Sequence, residues 1–77
     1  MAKNNISAIH RQMIDAVGHE VEVRIAGGYR PCVGKCINYT QPLDNDPEVA
    51  SIDIQVPGYS SITELTEDEI ESITIKD

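Results

Sequence analysis

The chain has 77 residues, two Cys, no Trp, no Phe and a formal net charge of −7. That length allows one small domain with an aliphatic core and excludes a disulfide framework, and burying more surface between copies is a natural way to supplement so small a core. Residues 1–43 hold five bases against three acids and residues 44–77 ten acids against one base, so phosphate contacts would have to come from the first half.

In chain order, Ile6, Ile9, Met13 and Val17 recur at spacings of three and four with Ile14 beside them. This predicts a helix over about 6–17, with Asn5 as N-cap and Gly18 as the glycine that ends it. Val21, Val23 and Ile25 then alternate with Glu20, Glu22 and Arg24, which predicts a strand over about 19–26 with one apolar face. Gly27-Gly28 turns the chain into a second strand over about 29–39. Pro31 belongs at its start, and Gly34 inside it marks a sharp bend, so this long strand can serve two sheets at once. Residues 40–48, TQPLDNDPE, have turn chemistry and no periodicity. A third strand is expected over about 49–56, where Ile52, Ile54 and Val56 alternate with polar residues. Pro57-Gly58 turns into a fourth strand over about 59–65. Thr66-Glu67-Asp68-Glu69 reads as one capped helical turn, and a fifth strand follows over about 70–76. The expected core is Val21, Val23, Ile25, Ile52, Ile54, Ile73 and Ile75, with Ile9, Met13 and Val17 from the helix. One helix and five short strands, the second bent, imply a mostly β fold: a small, strongly curved antiparallel SH3-like barrel in one domain, 1–77.

Gly18, Val21-Val23-Ile25, Gly28, the step Cys32-Val33-Gly34-Lys35-Cys36, and ELTEDEIESITI at 64–75 together resemble the Sm-like (LSm) small-barrel family over nearly the whole chain. The resemblance implies a non-enzymatic protein that forms a homo-oligomeric ring through its fourth and fifth strands and binds RNA or an RNA-handling protein. The interface it implies here is Tyr59, Ser61, Ile62, Thr63, Ile73 and Ile75. The family's Asp and Asn after the second strand have Asn38, Asp44 and Asn45 as candidates. Its basic turn before the last strand is Thr66-Glu67-Asp68 here, and a carboxylate cannot replace a guanidinium facing phosphate.

Tyr29, Arg30 and Lys35 flank the hairpin, with Asn38 and Tyr39 further on. An aromatic ring can stack a base while a cation meets phosphate, so these five residues are the expected nucleic-acid contacts. Cys32 and Cys36 stand too far apart on a strand for a mutual disulfide and read as reduced, buried small hydrophobes. Together with His10 and His19 they lack the spacing of a closed zinc site. Asp44-Asn45-Asp46-Pro47-Glu48 begins like a calcium loop but lacks the Gly at its sixth position and the Glu at its twelfth. No catalytic constellation, metal site or cofactor is expected, nor a membrane span or leader, so the expectation is a cytoplasmic protein. A second reading follows from the acidity: an interaction protein that occupies the basic surface of a nucleic-acid enzyme, similar in size, charge and element order to the small barrels that inhibit the terminator Rho.

Overall fold

A computed structural model describes residues 7–44, 48–58 and 60–77. Helix α1 spans Ala8–Ala16, and strands β1 to β5 span Glu20–Ile25, Cys32–Thr40, Ser51–Gln55, Ile62–Thr66 and Ile70–Ile75. Single 3-10 turns occupy Pro42–Asp44 (η1) and Glu67–Glu69 (η2). The N-cap of α1 is Ser7, whose Oγ accepts from the His10 backbone N–H at 2.9 Å. It stands two residues later than the expected Asn5, which with Ile6 lies outside the described residues. Gly18, at φ 91, reverses the chain after the helix as expected for a glycine in the left-handed region.

All five strands pair antiparallel in one open sheet of order β4-β3-β2-β1-β5. β2 is the shared element: Cys32 to Lys35 pair with β1, and Lys35 to Thr40 pair with β3. Gly34 is required here by close approach, since a Cβ would stand 2.4 Å from the Gln55 carbonyl oxygen. The pairing slips between Cys36 and Asn38, so Ile37 is an extra residue that turns the rest of the strand over.

β4 and β5 lie at opposite edges of the sheet, yet only η2 joins them. In a flat sheet those edges would be about 19 Å apart, whereas a link of three residues reaches at most about 14 Å. The sheet therefore curls. Two backbone bonds hold the corner: Glu67 N–H donates to the Ala50 carbonyl at 2.8 Å, and Ala26 N–H to the Glu69 carbonyl at 2.9 Å. Thr66 starts the corner, its N–H donating to Glu69 Oε1 at 3.0 Å and its hydroxyl to Asp68.

The concave face holds the core: Val21, Val23, Cys36, Ile52, Ile54, Leu65, Ile70 and Ile73, closed by Met13 and Ala16 of α1. Ile9 and Ile25 pack against it while partly buried. Two expected core residues differ. Val17 is 41% exposed, because the helix ends at Ala16 and Val17 enters the turn. Ile75 is 44% exposed, because it stands on the sheet's edge strand, with no strand beyond it among the described residues.

Candidate interaction edges

Among the described residues no strand pairs beyond β4 or β5, and the hydrogen-bond phase shows which main-chain groups face those edges. Lys76 N–H donates to the Glu20 carbonyl at 2.7 Å. Bonded and non-bonded pairs alternate along an antiparallel ladder, so Thr74 and Ser72 turn their main chain toward β1 while Ile73 and Ile75 turn theirs to the free edge. The Glu67–Ala50 bond sets the phase of β4 in the same way. Its outward residues are Ile62, Glu64 and Thr66, of which Thr66 gives its N–H to Glu69 Oε1. Ile62 and Glu64 stand opposite Gln55 and Asp53 on the convex face, whereas Ile73 lies in the concave core opposite Val23, with Ile75 opposite Val21. The free edge of β4 thus carries convex-face side chains and that of β5 concave-face ones.

Beside β5 runs a groove of about 360 Å³ lined by Gln12 and Asp15 of α1 and by Ile73, Thr74 and Ile75. The helix that forms one wall is clasped at its first turn. Ser7 Oγ donates to Glu67 Oε2 at 2.7 Å, His10 Nδ1 lies 3.6 Å from Glu67 Oε1, and His10 Nε2 meets the Tyr39 hydroxyl. At the far end of β5, Asp77 accepts from the Glu20 backbone N–H at 3.2 Å and lies 3.0 Å from His19 Nδ1. These contacts hold its carboxyl below the usual range, the Glu20 N–H first and His19 second.

Of the expected interface residues, Ile62 is 48% exposed, Ser61 and Thr63 are exposed, and Ile75 flanks the groove. Ile73 is buried and offers the edge only its main chain. Tyr59 lies outside the described residues.

The expected nucleic-acid residues do not gather on one surface. Tyr29 is 71% exposed at the hairpin tip, next to exposed Arg30. Lys35 stands mid-sheet on the convex face, paired across to Glu20 and Gln55. Asn38 is exposed and its Nδ2 donates to Asp53 at 3.5 Å. Tyr39 faces the other way. Opposite Ile52 on the concave side, its hydroxyl meets His10 and its ring lies 5.7 Å from the imidazole. Burial, with the Glu67 charge, pushes its phenol up. It anchors the helix, and with Asn38, Thr40 and Gln41 it also lines an open groove of about 410 Å³. Among the candidates after β2, Asp44 ends η1 and Asn45 lies outside the described residues.

Both thiols are free, Cys36 buried and Cys32 half-buried, and burial pushes both above the ordinary thiol range. Among the described residues no three His, Cys, Asp or Glu side chains converge as a metal cage, and no helix is long and apolar enough to cross a membrane. Among those residues Lys76–Glu22, at 3.5 Å, is also the only ion pair made by a Lys or Arg. Glu64, Asp68, Glu69 and Glu71 form an exposed acidic run along β4, η2 and β5. Sequence reasoning missed the groove. Its signal was available only in part, as polar Gln12 and Asp15 three apart on the helix.

No family model, curated protein or solved structure matches the chain.

Proposed function

We propose that this chain is a non-enzymatic, cytoplasmic binding protein with an Sm-like small barrel. Its copies join edge to edge into a homo-oligomeric ring that carries RNA or an RNA-handling protein. The observation that carries this reading is the strand order β4-β3-β2-β1-β5, with no further strand on either edge among the described residues and with η2 joining the two edge strands. An uncovered edge pairs with another edge, and two different edges on one chain make a head-to-tail contact that closes into a ring or else grows into a filament. Each edge has an exposed Ile, Ile62 on β4 and Ile75 on β5, and β4 has one charge, Glu64, to oppose pairing. A ring would also repeat Tyr29, Arg30, Lys35 and Asn38 around its circumference, and such repetition compensates for weak single contacts.

Light scattering over a range of protein and salt concentrations tests the assembly. The expected mass is a multiple of 8.5 kDa that grows with salt, because salt screens repulsion between acidic copies. A single-chain mass under every condition refutes the ring.

The exposed acidic run on β4, η2 and β5 supports a second reading, in which the chain covers a basic protein surface. Titration against mixed RNA oligonucleotides and against polylysine at moderate salt separates the two, since only an RNA carrier binds the first and only an acidic decoy prefers the second.

A further inference from the structure

We propose that the groove between α1 and β5 is the seat for one lysine side chain of a partner protein, its methylene stem lying along Ile75 and its ammonium meeting Asp15. This rests on the reading of the chain as a cover for a basic protein surface, and gives that contact a specific pocket outside the acidic run.

The groove has two kinds of wall. α1 supplies Gln12 and Asp15, three apart and so neighbours on one helix face. β5 supplies Ile73, Thr74 and Ile75. Ile73 is anchored in the core, whereas Ile75 stands half-exposed. A carboxylate and an amide oxygen beside apolar surface suit a ligand that is apolar along its length and cationic at its tip. Lysine is such a side chain, since its stem covers apolar surface while the ammonium stays wet. Its three rotatable donors can meet both the Asp15 carboxylate and the Gln12 amide oxygen, whereas the planar arginine fork is matched to the two oxygens of one carboxylate. The volume of about 360 Å³ stands at the small end of ligand sites, about 300–1,000 Å³, with room for one long side chain and water around its tip.

Charge shows what the groove lacks. Among the described residues no Lys or Arg pairs with Asp15. Arg11 stands one helical turn before it, beyond ion-pair distance. Lys76, just past β5, is given to Glu22 at 3.5 Å. Glu71 is exposed on the same strand as the groove's apolar wall, and the chain's net charge of −7 draws cations toward it.

The walls are also held before any ligand arrives. Met13 and Ala16 bury one side of the helix in the core, and Ser7 ties its first turn to Glu67 at 2.7 Å. Pairing with β1 and the bond from Glu20 N–H to Asp77 at 3.2 Å hold β5. A site that needs no ordering loses little entropy on binding.

Binding of a lysine decapeptide at moderate salt, measured by isothermal titration calorimetry, tests the seat. Asp15→Asn and Glu48→Gln each remove one negative charge, and Glu48, ahead of β3, is no wall of the groove. Asp15→Asn is expected to weaken binding about fivefold, the upper end for one exposed ion pair, and Glu48→Gln less than about twofold. Ile75→Thr keeps the charge and is expected to weaken binding about threefold through lost contact with the stem. Far-UV circular dichroism checks that each variant is folded. With the wild-type chain, the amide resonances of Gln12, Asp15 and Ile75 should shift at lower peptide concentration than those of η2. Equal losses from Asp15→Asn and Glu48→Gln, unchanged binding by Ile75→Thr, or shifts in η2 first, each overturn the seat and leave the acidic cover. No binding by the wild-type chain removes both.

Discussion

Replacing Gly34 by Ala tests whether β2 and β3 approach as closely as the fold requires. The added methyl would stand 2.4 Å from the Gln55 carbonyl oxygen, 3.0 Å from its carbon and 3.0 Å from Ile54 Cγ2. Carbon and oxygen rarely approach closer than about 3.3 Å, so the strands must part by nearly that shortfall, about 1 Å. The first two neighbours are main chain and cannot rotate away. Forcing one methyl into such a place costs about 1–3 kcal/mol. Against this, Gly34 has no positive φ, so Ala fits its backbone and restricts the unfolded chain, which returns about 0.4–1 kcal/mol. The net expectation is a loss of about 1–2 kcal/mol, a sizeable part of a small domain's stability. Urea unfolding followed by far-UV circular dichroism measures it as a lower midpoint at unchanged slope. An equal or higher midpoint would show that β3 does not cross Gly34 at this distance.

Ile54 is fully buried opposite Cys36 and Thr63, so Ile54→Ala should cost about 2–4 kcal/mol in the same assay; a loss under about half a kcal/mol would put that strand's faces the other way round. Asp77 has its carboxyl held low, so its contribution is present above the unfolded value of about 4 and disappears as pH falls through the lower folded value. Asp77→Asn should therefore flatten the acid limb of a stability–pH curve, and an unchanged limb would show that the Glu20 and His19 contacts do not persist in solution. Alkylation should label half-buried Cys32 slowly and Cys36 only on unfolding, since both thiols are pushed up by burial; rapid native labelling of Cys36 would contradict its place in the core.

The alternation of Val21, Val23 and Ile25 with charged residues made β1 legible, and Thr66 to Glu69 announced the corner turn through its cap chemistry. All five strands follow from such local signals. Tyr39 shows where local signals stop. Counting by twos from Cys32 and Cys36 puts Asn38 inside and Tyr39 outside. The extra residue at Ile37 reverses that, and nothing in the local run Cys36-Ile37-Asn38 marks a bulge. Ala16 and Ala50 are buried without being bulky enough to signal it. The groove was hidden for a different reason. Its walls come from α1 and β5, some sixty residues apart, and only the return of β5 to β1 brings them together.

That return also sets the order in which the chain can fold. β1 to β4 form a meander in which each strand meets the next in sequence, so their pairing closes only short loops. β5 alone must travel back across about fifty residues, a closure whose entropy is met before any contact rewards it. The helix waits on the same event, because it rests mainly on β5 and is fastened through Glu67. Helix and last strand are therefore expected to form late and together, and in native-state hydrogen exchange their amides should open together, ahead of those in β2 and β3.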